Sequence, residues 1–300
     1  MENIFTVSLP SGKTQKGLFF DAESPKMNLL ILTGMGEYAG RYEDFAKYLN
    51  GFGINVRVLD AVAQGLNAPK VEYQERWHEG AFDENVLAAS LAIEEMKKNE
   101  LPTCIMGHSM GSFMAQEYIQ RFHERANKVV LCGTDYANPF VMNFAYQLSR
   151  MLVPAHKRNV PNKTLAGLVT GNFAKAVKNR KTDFDWLSYN KENVDKYIAD
   201  PKCGFVATGG FYRDFLKGMR RIGKTKFIHK IRPTVSIFII AGKEDPVGHM
   251  GKGPKKLYKK YQRLGVSNVS LKLYDHMRHE ILNEKNKQEV IDDVINFYNE

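Results

Sequence analysis

This 300-residue chain has little cysteine and no long apolar run. Cys104, Cys132 and Cys203 are odd in number and form no CxxC pair, which argues against a disulfide framework or a zinc site. No stretch reaches the roughly 18 consecutive apolar residues of a membrane-spanning helix. The opening residues, MENIFTVSLPSGKTQKG, lack a basic segment followed by an apolar core, so no secretory leader is expected. There is no internal repeat and no low-complexity tract. These absences predict a reduced, cytoplasmic protein.

What is present is ordinary for a globular chain: 43% hydrophobic and 25% charged residues. The net charge is +10 and the pI is near 9.3. The densest cationic clusters, RRIGKTKFIHK (220–230) and GKGPKKLYKK (251–260), are read as solvated faces. No nucleic-acid-binding signature accompanies them, so no nucleic-acid partner is expected. A transient encounter with an anionic lipid surface is compatible with the charge. The oligomeric state stays open.

Hydrophobic patterning gives eight strand-like segments. NIFTVSL and KGLFF come first, then NLLILTG (28–34), INVRVLD (54–60), the run at 103–106, KVVLCGT (128–134), TVSIFIIAG (234–242) and NVSLKLY (268–274). Between them lie amphipathic helices such as GRYEDFAKYLNGFG and FDENVLAASLAIEEMKKN. Such alternation predicts an α/β fold, a mostly parallel sheet with helices on both faces. The alternation breaks between residues 135 and 230, where FVMNFAYQLSRMLVP, TLAGLVTGNFAKAVKN and GGFYRDFLKGMRRIG read as helices and no buried strand appears. The expected division is therefore a core of 1–134 and 231–300 with a helical insertion at 135–230.

The chemistry is sharpest at CIMGHSMGSFMAQ (104–116). A buried strand precedes Gly107-His108-Ser109-Met110-Gly111 and a helical pattern follows. G-x-S-x-G at a strand-to-helix turn is a nucleophile elbow: small flanking residues permit a sharp, strained turn that exposes the serine hydroxyl. A serine needs a base, and the base needs an orienting acid, in the order Ser, Asp or Glu, His. TVSIFIIAGKEDPV ends a strand and offers Glu244 and Asp245; NVSLKLYDHMRHE ends the next and offers His276 and His279. Both loops lie at strand C-terminal ends, where open α/β sheets place their sites. Asp245 is preferred because Pro246 fixes the chain just past it. His279 is preferred because it stands far enough into its loop to reach back over the serine, with His276 as the alternative. The oxyanion donors expected are the backbone N–H groups of Met110 and of Met35, in LTGMGEYAGRY.

That last loop has a second reading. Gly34-Met35-Gly36-Glu37-Tyr38-Ala39 matches G-x-G-x-x-A, and Asp60 ends the next strand where a ribose-binding acid would stand. An NAD(P)-dependent oxidoreductase is the competing expectation, but it leaves the Ser, Asp and His loops without purpose.

On these residues the chain resembles the monoacylglycerol lipase and lysophospholipase group of α/β hydrolases, which also takes in serine aminopeptidases. GHSMG resembles that group's elbow, GMGEYAGRY its oxyanion loop (HGxGEHxxRY), GKEDPVG its acid loop and RHEILNE its histidine loop. NVDKYIADPKCGF resembles a cap segment of bacterial members. The resemblance covers nearly the whole chain. It implies an eight-stranded α/β-hydrolase sheet with a helical cap inserted after the sixth strand, over an apolar acyl tunnel. It implies cleavage of small-molecule acyl esters by Ser109, Asp245 and His279, with Met35 and Met110 donating from the backbone and no cofactor or metal. Two positions depart from the pattern: Thr33 stands where the group has His, and Gln64, in DAVAQGLNA, stands where many members have another His. These departures motivate a further alternative, a non-catalytic acyl-ligand binder. A peptidase with the same triad is another.

Overall fold

The structure, a computed structural model, describes residues 3–122 and 126–300. In chain order the elements are β1 (Ile4–Ser8), β2 (Thr14–Phe20), β3 (Met27–Leu32), α1 (Glu43–Asn50), β4 (Ile54–Leu59), α2 (Ala81–Met96), β5 (Thr103–His108), α3 (Met110–Arg121) and β6 (Lys128–Cys132). The helices α4 (Pro139–Leu152), α5 (Lys163–Ala176), α6 (Lys191–Ala199), α7 (Gly209–Ile222) and α8 (Thr225–Ile228) follow. The chain ends with β7 (Ser236–Gly242), α9 (Lys252–Arg263), β8 (Val269–Tyr274) and α10 (Gln288–Asn299).

All eight strands form one sheet, in the order β1-β2-β4-β3-β5-β6-β7-β8. The β1–β2 and β2–β4 pairs are antiparallel, and every pair from β4 to β8 is parallel. The expected α/β-hydrolase fold is met. β3 and β5 are buried at every residue because helices cover both of their faces; β1, at the edge, is not. Alternate strand residues feed two cores. Leu30, Leu32, Ile105 and Val129 pack with α2, α3 and α9, whereas Leu29, Ile31, Met106 and Val130 pack with α1 and α10.

The helices α4 to α8 lie between β6 and β7, within residues 139–228. They are not all peripheral. The N-terminus of α2 has no side-chain cap of its own; Asp214 of α7 supplies one, accepting from the amides of Gly80 (3.0 Å) and Phe82 (2.7 Å). Phe211 of α7 is fully buried in the same core as α2 and α3. Among the described residues no helix is long and apolar enough to cross a membrane.

Candidate active site

β5 leads into α3 through the elbow. Ser109 sits between them at φ 50° and ψ −118°, a left-handed conformation that costs energy in a non-glycine residue. The turn is tight enough to require its two glycines. A Cβ on Gly107 would lie 2.2 Å from the Gly111 carbonyl oxygen, and one on Gly111 would lie 2.1 Å from that of Leu32. The strain therefore holds one particular orientation of the serine at the head of a helix.

Two other strand ends bring their loops to the same place. Asp245, after β7, is fully buried; its Oδ1 accepts from the Val247 amide (2.8 Å) and its Oδ2 lies 3.0 Å from His279 Nδ1. His279, after β8, lines one pocket with Ser109. Gly133 faces the imidazole so closely that a Cβ would meet Cε1 at 3.0 Å. The Trp186 ring lies 5.2 Å from the imidazole, centroid to centroid. The alternatives point elsewhere: His276 is exposed beside Glu244, whose carboxylate accepts from Tyr189 Oη.

The loop after β3 is held by three buried carboxylates. Gly34 N–H donates to Glu37, Gly36 N–H to Glu75 (2.6 Å) and Ala39 N–H to Asp60 (2.6 Å). Met35, between them, has an N–H with no protein acceptor among the described residues. Met110 is the first residue of α3 and has no carbonyl one turn back to receive its N–H. Both methionines line the pocket. The same bonds bear on the dinucleotide reading. The Gly34, Gly36 and Ala39 amides of that turn are already taken, and Asp60, buried and also accepting from Leu66 N–H (2.8 Å), is not presented to a ribose. Burial pushes the Asp60 carboxyl up to about 7 and that of Glu75 to about 8. The departures Thr33 and Gln64 are buried parts of this support: Gln64 Nε2 donates to the Gly34 carbonyl (3.1 Å) and to Glu75 (3.2 Å).

A second buried network joins this loop to the histidine loop. Glu37 accepts from Tyr42 Oη (2.8 Å), contacts His108 Nδ1 (2.8 Å) and pairs with Arg41 (3.2 Å). Arg41 then grips Glu280, the neighbour of His279, through two bonds of 2.6 and 2.8 Å. Burial favours the neutral acid at Glu280, but Arg41 outweighs it and holds the carboxyl down at about 2. Burial likewise opposes a charge on His108, yet the Glu37 carboxylate keeps that imidazole above its ordinary value. The His108 ring lies 5.0 Å from that of His279. Glu37, Arg41, His108 and Glu280 stand inside the sequence motifs, which give them no role of their own, and Glu75 and Trp186 stand outside those motifs.

The pocket above Ser109 is mostly apolar, lined by Met35, Phe113, Val169, Phe173, Trp186 and Phe215 among others. Residues 23–286 match the family described as serine aminopeptidase, S33. A monoacylglycerol lipase of Mycolicibacterium smegmatis is 25% identical over 270 residues, 90% of this chain and 87% of its own length. A phospholipase of Bacillus subtilis is 28% identical over 129 residues, 43% of this chain and 48% of its own. The solved structure of a thermostable carboxyl esterase from Bacillus coagulans, in complex with glycerol, matches with TM-score 0.89 and 25% identity over 100% of this chain and 99% of that one. Since the family match begins before β3 and ends beyond the histidine loop, it takes in everything that builds the pocket, and the chain belongs to the serine aminopeptidase S33 family of α/β hydrolases.

Proposed function

We propose that the chain is a serine hydrolase that cleaves carboxylic esters of acyl lipids, of the monoacylglycerol or lysophospholipid type. One observation carries the reading: a serine held at positive φ at the head of a helix shares an apolar pocket with a histidine whose Nδ1 lies 3.0 Å from a fully buried aspartate. Ser109 Oγ attacks the ester carbonyl while His279 Nε2 takes its proton. Asp245, at Nδ1, fixes the tautomer that leaves Nε2 as the base and stabilises the imidazolium. The N–H groups of Met35 and Met110 receive the oxyanion, each worth about 3 kcal/mol of the barrier. His279 returns the proton to the leaving alcohol, and water then releases the acyl group from Ser109 by the same route.

The aromatic and aliphatic lining suits an acyl chain, and the names of the relatives point the same way. The pocket also contains Glu37 and Glu280, the carboxylates an aminopeptidase would use to hold a free ammonium. Both are already paired, with His108 and with Arg41, which favours the ester reading. The helical stretch 135–230 acts in this scheme as the cap over the acyl site, contributing Val169, Phe173, Trp186 and Phe215.

Labelling with a fluorophosphonate probe, followed by peptide mapping, is the test. A single adduct on Ser109, absent from Ser109→Ala, is the expected result, followed by turnover of monoacyl and lysophospholipid esters. A folded protein that takes no adduct but binds acyl ligands would replace the hydrolase with a carrier.

A further inference from the structure

Val169 and Phe173 place one side of α5 in the Ser109 pocket. Other residues of the same helix border a second cavity, of about 350 Å³. Met35, Trp186 and Tyr197 line both, so the two cavities share a wall that includes the loop after β3.

The part of α5 that borders the second cavity is built of small residues: Ala166, Gly167, Thr170, Gly171 and Ala174. Glycine weakens the interior of a helix, so two glycines one turn apart call for a reason. Packing within the chain is not that reason, because a Cβ on Gly167 or on Gly171 would meet no atom within 4 Å. The room they leave is open to a group from outside the chain.

The lining of this cavity differs in chemistry from the Ser109 pocket. Lys175, near the end of α5, and Arg180, in the segment after it, bring two cations. Lys175 has no acidic partner among the described residues. Arg180 reaches the carboxylate of Asp183 only at 3.9 Å, and that side chain is 85% exposed. Tyr212 of α7 is 2% exposed and lines the same cavity, yet its hydroxyl makes no hydrogen bond among the described residues. A buried phenol without a partner is costly unless something in the cavity meets it. Two cations and an unpaired hydroxyl donor around open space match a phosphate, which offers negative charge and several acceptor oxygens.

We propose that this cavity receives the phosphate-bearing headgroup of a lysophospholipid whose acyl chain lies in the Ser109 pocket. Lys175 and Arg180 meet the phosphate, Tyr212 Oη donates to an oxygen of the headgroup, and the glycerol backbone crosses the shared wall at Met35, Trp186 and Tyr197. A monoacylglycerol would fill the acyl side equally well but would leave both cations and the phenol without a counterpart. The inference rests on the acyl-ester reading and narrows it to the phosphate-bearing substrate.

Two measurements test it. The first compares octanoyl lysophosphatidylglycerol with monooctanoylglycerol, which carry the same acyl chain. kcat/KM is expected to favour the phospholipid by about tenfold or more. Lys175→Gln with Arg180→Gln should remove that preference through KM. Gly171→Leu, which fills the cavity and strengthens the helix, should remove it with no loss of thermal stability. The second is calorimetric titration of Ser109→Ala with glycerophosphoglycerol, so that the answer does not depend on hydrolysis. Binding is expected, about tenfold weaker once Lys175 and Arg180 are replaced, and absent for glycerol. A chain that binds this headgroup yet takes no fluorophosphonate adduct would lose the hydrolase reading and keep the site. Equal kcat/KM for the two esters, a preference that survives both variants, or inorganic phosphate bound as tightly as glycerophosphoglycerol would each overturn the proposal.

Discussion

Glu37, Glu75 and Asp60 lie almost wholly out of contact with water, and each is bonded to the backbone of the loop after β3. Phe140, Phe144 and Met151 lie almost wholly in contact with it, with nothing over them. The two regions invert the usual arrangement of polar and apolar groups. In the first, polar side chains are buried because the loop must hold free amides in fixed positions, and carboxyl oxygens, protonated or not, accept from the others. In the second, apolar side chains stand outside the core and no other part of the described chain covers them.

The sharpest way to break this comparison is at the serine. Ser109→Ala should lower kcat on p-nitrophenyl butyrate by about 10⁴-fold or more while thermal unfolding stays where it was; retained turnover would remove the elbow from the mechanism. Next comes the bridge between the two loops. Arg41→Met leaves Glu280 and Glu37 buried without their cation and should cost about 3–5 kcal/mol in urea unfolding, with activity falling as His279 loses its neighbour's anchor. A loss below about 1 kcal/mol would mean that the loops do not depend on this pair.

Glu75 gives a pH-dependent test. Burial raises its carboxyl from an ordinary 4.5 to about 8, so between those values the folded chain holds a proton that the unfolded chain has released. Its contribution to stability is therefore complete below pH 4.5 and declines as pH rises towards 8, by about 1.4 kcal/mol per pH unit. Glu75→Gln keeps an acceptor for Gly36 N–H and should flatten that slope in denaturation midpoints measured from pH 5 to 8. An unchanged slope would assign the effect to Asp60 alone. The smallest effect belongs to the other region: Phe144→Ser should change unfolding free energy by less than about 0.5 kcal/mol, because the side chain is already in water. A large loss would show that α4 is covered within the folded chain.

The strands, the elbow and the acid and histidine loops were legible in the sequence because each is a local pattern. A run such as NLLILTG or G-x-S-x-G carries its structural meaning within a few residues. The pairings around the site were not legible. Arg41 and Glu280 are 239 residues apart, and Gly36 and Glu75 are 39 apart. Nothing in QERW marks Glu75 as the buried support of a loop across the molecule. The helices between β6 and β7 were visible as periodic patterns. That α7 lends Asp214 to cap α2, and that α4 keeps one side bare, depends on packing and not on periodicity.

The sequence by itself determined the eight strands, the strand-to-helix turn around Ser109 and the order of serine, acid and histidine, because backbone preference and hydrophobic spacing act over short distances. Only the tertiary structure decided that Asp245 and not Glu244 faces His279, that the GMGEYA turn is filled by carboxyl groups of its own chain, and that one side of α4 stays bare. Those outcomes depend on which buried polar group finds a partner, and partners far apart in the chain meet only when the sheet has closed.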